Sequence, residues 1–287
     1  LDSAGHIMKL RYTPYQIVVD SVEDHESKYH DVINNFESLD NLPVVVGTLH
    51  SMLTPFVASY KRNNPDKKIA YIMTDGAALP LYLSMNVKNL KQNGLIDSTI
   101  TIGNAFGGDY ECINIYTGLI TAKEIAKADV VFVSMGPGIA GTGTKYGFTG
   151  IEQGQILDAV KKLGGNPIAI PRISFADKRD RHQGISHHSI TVFDKIVNVD
   201  VNIPITIYES QKLNKIKEQI KENKLDEKHN IIFIENNKCK EDLEYFGLKV
   251  KSMGRNYDED SEFFDSASSA AYYLMEVCHD WERKYCK

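Results

Sequence analysis

Apolar residues along the chain fall in short, near-continuous runs separated by amphipathic stretches. LPVVVGTL (Leu42–Leu49), KKIAYIMTDG (Lys67–Gly76), STITIG (Ser98–Gly103), ADVVFVSMG (Ala128–Gly136) and NPIAIP (Asn166–Pro171) are rich in β-branched residues and lack clean alternation. Such runs suit strands buried on both faces, as in a parallel sheet covered by helices. Between them, Met52–Tyr60, Pro80–Leu90, Leu119–Ala126 and Ile151–Leu163 read as helices. Turn signals follow three of these: NNPD from Asn63, Gly94, and the pair Gly164-Gly165. The alternation predicts an α/β fold: a doubly wound, mostly parallel sheet with helices on both faces, three-layered and Rossmann-like.

Residues 1–41 read as a lead-in segment and 42–200 as the α/β core. Residues 201–287 continue more loosely, as an extension of the same sheet or a small second domain. There, Val197–Glu209, Asn230–Glu235 and Leu248–Met253 are strand candidates, and Lys212–Lys224 and Ser266–Tyr285 are helix candidates. No internal repeat is visible.

Composition narrows the function classes. A chain of 287 residues, 42% hydrophobic, can bury a sizeable core. A net charge of -5 leaves no footprint for nucleic acid or an anionic membrane, so a basic site must be local. No apolar run reaches the roughly 18 residues of a membrane span. The four cysteines (Cys112, Cys239, Cys278, Cys286) include no Cys-x-x-Cys pair and read as reduced thiols, which points to a cytoplasmic protein. The first residue is Leu, which suggests a piece of a longer chain.

The densest chemistry lies in RISFADKRDRHQGISHHS, from Arg172 to Ser189, directly after the Asn166–Pro171 strand. Arg172, Arg179 and Arg181 suit a phosphate or carboxylate, which guanidinium binds through paired hydrogen bonds. Some of them are expected to pair internally with Asp177 or Asp180. His182, His187 and His188 could serve as general bases, or as ligands of a divalent metal with Asp177 or Asp75. The spacing matches no specific metal motif.

The strand ending at Gly136 runs into GPGIAGTGTKYGFTG. Gly136, Gly138 and Gly141 allow close backbone approach to an anion, and Thr142, Thr144 and Lys145 supply hydroxyls and a cation. The Walker order is missing, and no acidic residue closes a following strand, so neither a P-loop nor a dinucleotide fingerprint is present. Other strands end in His50, Asp75, and Asn104 with Asp109. In a parallel sheet these ends share one edge. His50, Asp75, Asn104, Thr142 and the His182–His188 segment are therefore expected to border one cleft, with His187 facing inward.

Together, VVVGTLHSMLTP, YIMTDGAALPL, MGPGIAGTGTKYGFTGIEQG and IPRISFADKRDRHQGISHHS resemble an uncharacterised bacterial family, domain of unknown function 3866. The resemblance runs from about Gly5 to about Ile196. It implies a bacterial cytoplasmic protein and transfers no activity.

Two functions fit the residues. One is an enzyme, a hydrolase or transferase, acting on a small phosphorylated or carboxylated substrate. In it, His50, Asp75, His187 and His188 would be catalytic, and the glycine loop and arginines would hold the anion. The other is a non-catalytic sensor of a nucleotide or metabolite. Arginines accompanied by histidines in one pocket would favour the enzyme.

Overall fold

A computed structural model of the chain describes residues 6–76, 79–236 and 238–285, with 277–285 described by backbone alone. The strands are β1 (Ile7–Lys9), β2 (Ile17–Val19), β3 (Pro43–Val46), β4 (Ile69–Thr74), β5 (Ser98–Ile102), β6 (Tyr110–Cys112), β7 (Val130–Met135), β8 (Asn166–Ala169), β9 (Ile173–Ser174), β10 (Gly184–Ile185), β11 (Asn202–Thr206) and β12 (Asn230–Ile234). Eight of them form one sheet in the order β12-β11-β8-β3-β7-β4-β5-β6. Every neighbouring pair in it is parallel. The doubly wound α/β architecture is therefore present, and β11 and β12 extend the same sheet.

Burial explains the continuous apolar runs. Successive side chains of a strand point to opposite faces. Val44 and Val46 join one core cluster, and Val45 joins the other. The same split separates Ile72 from Tyr71 and Met73, and Val131 and Val133 from Phe132. Both faces are covered, so both sets must be apolar. Helices Ile115–Glu124, Glu152–Lys162 and Ser210–Glu222 pack on the first face. Helices Leu53–Asn63, Met85–Gln92, Cys239–Tyr245 and Ser261–Tyr285 pack on the second.

The strand order creates a switch point. The chain leaves β3 through the helix Leu53–Asn63, on one face, to reach β4. It leaves β7 through the helix Glu152–Lys162, on the other face, to reach β8. β3 and β7 are hydrogen-bonded neighbours, so their crossovers depart to opposite sides and leave a crevice above their C-terminal ends. Gln153 braces that crevice: its buried amide donates to the carbonyls of Val46 (2.8 Å), the last residue of β3, and Ile170 (3.0 Å), just beyond β8.

Among the elements that differ from the sequence reading, two bear on the sheet. Leu248–Met253 forms no strand and makes only an isolated bridge, Ser252 to Arg255. Leu248 and Val250 still pack against the core, so the alternation is real but no neighbouring strand is there to pair with. Conversely, the glycine-rich crossing after β5 leads within a few residues into β6, which pairs parallel to β5. Parallel neighbours usually need a dozen or more connecting residues. Here Gly103, at φ +61°, turns the chain so tightly that a Cβ would lie 2.5 Å from the Asp75 carboxylate. The far side of β6 is guarded by the N-terminal hairpin, whose buried Lys9 ion-pairs with Glu111 at 3.2 Å.

Cys112 and Cys239 are free and buried, and burial pushes the Cys112 thiol up to about 12, far from a reactive thiolate. The side chains of Cys278 and Cys286 lie outside the described residues. Among the described residues, no helix is long and apolar enough to cross a membrane.

Candidate functional site

The crevice at the switch point holds a cavity of about 120 Å³. Its wall comes from three strand ends. Thr48 and Leu49 follow β3; Ile139 to Gly141, Gly143, Phe148 and Gly150 follow β7; Arg172, Arg179, Arg181, His182, His188 and Ser189 follow β8. Met253 closes the rim from the C-terminal third.

The segment after β8 is folded by its own charges. Asp177 is the hub. Arg179 grips it as a fork, Nε to Oδ1 at 2.9 Å and Nη2 to Oδ2 at 2.8 Å. Arg172 donates from Nη2 to the same Oδ2 at 3.0 Å. With Arg179 forked onto it, the Asp177 carboxyl is held well below the usual carboxylate range. Arg172 is buried, and its other amino group, Nη1, lies 2.8 Å from Nδ1 of His182. Its Nε–H is buried with no partner among the described residues. Arg181 is exposed, makes no ion pair among the described residues, and lies beside Gly143.

Ser186 caps the short helix His187–Thr191 by accepting from the His188 backbone. That helix start leaves the His187 and His188 rings in contact, centroids 4.0 Å apart, and both near His182; His188, and not His187 as expected, lines the cavity. One ring nitrogen from each of the three lies within 4.8 Å of the others. Phe148 stacks on His188, with ring centroids 4.1 Å apart and planes 11° apart. Nε2 of His187 is buried and unpartnered. All three imidazoles are pushed toward the neutral form. Burial and then the charge of Arg172 lower His182 to about 3. Burial, then His187 and Arg172, lower His188 to about 4. Burial and Arg181 lower His187.

The donor set fits a cation poorly. An arginine can only donate, so Nδ1 of His182 must accept, and in the neutral ring the proton then sits on Nε2. The free nitrogen of His182 is thus a hydrogen-bond donor rather than a lone pair. Asp177 is taken by two arginines, and the cavity wall carries no carboxylate to offset three guanidinium groups.

Other residues singled out from the sequence stand elsewhere. His50 is buried beneath the crevice: Nδ1 meets the Tyr71 hydroxyl at 3.0 Å and Nε2 meets Ser84 Oγ at 2.6 Å. Burial lowers its pKa to about 4. Ser84 in turn caps the helix Met85–Gln92, so His50 ties two strand ends to that helix and does not line the cavity. Asp75 receives the Asn104 backbone and side-chain amides at 3.3 and 3.4 Å, and both residues border a separate groove. Asp109 is engaged by Lys91 and Thr99. One shared cleft therefore does not form.

The glycine loop also divides. Gly141 and Gly143 line the cavity, and their N–H groups have no partner among the described residues. Gly136 and Gly138 do not line it. Thr142 and Thr144 face each other at 2.9 Å and bond to Gly147, closing the loop on itself. Lys145 lies over the Tyr146 ring. Sequence reasoning missed Phe148, Met253 and Gln153. Phe148 had a signal, as the lone aromatic flanked by glycine and threonine. Met253, remote in the chain, had none.

Fold and cavity together define a three-layer α/β protein with a basic, histidine-bearing cavity at its topological switch point. The family model described as "Protein of unknown function (DUF3866)" matches residues 1–271, and the chain belongs to that family. The match extends well past the region where the resemblance was read. No curated protein matches the chain.

Proposed function

We propose that the cavity binds a small anionic, phosphorylated or carboxylated substrate and that the protein is an enzyme acting on it. The observation that carries this reading is the composition of one wall: Arg172, Arg179 and Arg181 beside His182 and His188, with no acidic side chain. A site for a cation or a neutral sugar would need acceptors there. Histidines within reach of the arginines support catalysis over simple sensing, since holding an anion does not require them.

Imidazoles depressed to about 3 and 4 are weak bases at neutral pH. An anion seated among the arginines would offset their charge and raise both values toward the range where proton transfer works. His182, carrying its proton on Nε2, is the donor of the set. His188, stacked on Phe148, is the candidate base. A transition metal is the second reading of three clustered histidines, and the Arg172 contact to His182 weighs against it.

The test is a thermal-shift screen of anionic metabolites, phosphorylated and carboxylated, with divalent metals alongside. A ligand at one hundred times its Kd adds about 2.7 kcal/mol of stability. At least one anion should raise Tm in the parent and lose that effect in Arg181→Ala. If only metals stabilise the protein, the anion reading fails.

A further inference from the structure

We propose that the cavity selects a dianionic phosphate monoester head group over a carboxylate. This deepens the anion reading above and rests on it. Three features of the wall point the same way. The first is charge. Three guanidinium groups face one carboxylate, Asp177, which stands behind the wall, so an excess of two positive charges remains for the ligand. The nearby Arg255 is already paired with the buried Asp260 at 2.8 Å and adds none. A monoanion would leave one charge uncompensated in a partly desolvated site, whereas a dianion matches it.

The second feature is the origin of the donors. The loop after β7 brings the Gly141 and Gly143 backbone to the cavity, and the segment after β8 brings Arg172, Arg179, Arg181 and His182. A planar carboxylate offers acceptors in one plane. A tetrahedral phosphoryl group offers three terminal oxygens spread in space and can meet donors from both segments.

The third feature is size. About 120 Å³ is the space of roughly four water molecules. That suits a phosphoryl head group with a few more atoms, while Leu49, Ile139, Phe148 and Met253 give the remainder an apolar surround.

The test compares methyl phosphate, sulfate and acetate by thermal shift at pH 5.5 and pH 8, each read as the difference between the parent and Arg181→Gln. That difference cancels the general stabilisation such salts give every protein. Sulfate stays doubly charged throughout, so its pH response reports the groups of the site: His182, His187, His188, Asp177 and the arginines. Methyl phosphate passes from mostly monoanion to dianion over this range, since its second pKa is near 6. The expected result is that methyl phosphate gains on sulfate by roughly fourfold in affinity from pH 5.5 to pH 8, with acetate ineffective. A methyl phosphate to sulfate ratio that stays flat, or acetate stabilising as well as methyl phosphate, overturns the dianion assignment and leaves anion binding standing. If none of the three distinguishes the parent from Arg181→Gln, and no anion in the metabolite screen does either, the anion site itself is refuted.

Discussion

Two polar regions share the C-terminal edge of the sheet, and they carry opposite charge. Above β3, β7 and β8 the cavity is walled by Arg172, Arg179, Arg181 and histidines. On the adjoining strands, a groove beside β4 and β5 is lined by Thr74, Asp75, Asn114 and Glu152. In both, burial drives ionisable groups toward neutrality: His182 and His188 fall, and Glu152 rises to about 7, with Asp75 adding to its rise. The difference lies in what remains charged. Arginine cannot be neutralised by burial, so the cavity keeps a positive excess, while the groove relieves its repulsion by holding a proton. Convergence of strand ends on one edge is thus not convergence on one site. The switch point decides which ends meet.

The largest effect that would sharpen this contrast comes from Arg172. It is buried and serves both Asp177 and His182. Removing one partner of a buried charge pair costs about 3 kcal/mol, and here the buried Asp177 would keep only the half-exposed Arg179. Arg172→Ala should lose that much by urea unfolding at pH 7. Arg179→Ala removes the exposed fork from the same carboxylate and should cost about 1 kcal/mol or less. Equal costs would mean that Arg172 is not the structural half of the pair.

Glu152 tests the acidic region, with an effect on the order of 2 kcal/mol. Its folded pKa is about 7 against a reference of 4.5. A raised pKa means that the folded state holds the proton more tightly. The associated stability is present below pH 4.5 and lost as pH rises through 7. Glu152→Gln keeps an acceptor for the Thr74 hydroxyl, which bonds the carboxylate at 2.6 Å, without the charge. The variant should be more stable than the parent at pH 8, and the advantage should vanish toward pH 5. The cavity histidines and His50 run the other way. Their folded pKa values lie below 6.5, so each withdraws stability as pH falls from 6.5 toward about 4, at up to about 1.4 kcal/mol per pH unit. A Glu152→Gln profile parallel to the parent's would show that Glu152 does not hold a proton in the groove.

How far the sequence announced these regions depends on the range of the interactions. β3, β4, β7 and β8 were legible because burial on both faces leaves little freedom of composition. The Arg172–Ser189 segment was legible because its charges are local and its fold is made by neighbours such as Asp177 and Arg179. His50 was misassigned to the site because its partners, Tyr71 and Ser84, are distant in the chain, and nothing near His50 shows that it is buried against them. Thr142 and Thr144 were assigned to a ligand because composition cannot tell a hydroxyl that braces a loop from one that lines a cavity. Glu152 escaped notice because an acidic residue opening a helix is ordinary. Its pKa is raised by burial first and then by the charge of Asp75, which only the strand order brings near.

The smallest effect separates the conformation of the glycine loop from its role at the cavity. Gly143 sits at φ +79°, and a Cβ there would lie 3.6 Å from Nη1 of Arg181. Gly94 sits at a similar φ of +67°, with open space around it and no part in the cavity. Alanine at either position meets the same backbone strain, costing about 1 kcal/mol. The two variants should therefore unfold at similar urea concentrations, slightly below the parent. They should differ in their response to methyl phosphate. Gly94→Ala should keep the full thermal shift, whereas Gly143→Ala sets a methyl against the Arg181 guanidinium at the cavity and should lose part of it. If both keep the shift, the loop after β7 is a turn beside the cavity and not part of its binding wall, and the arginines after β8 must hold the anion without it.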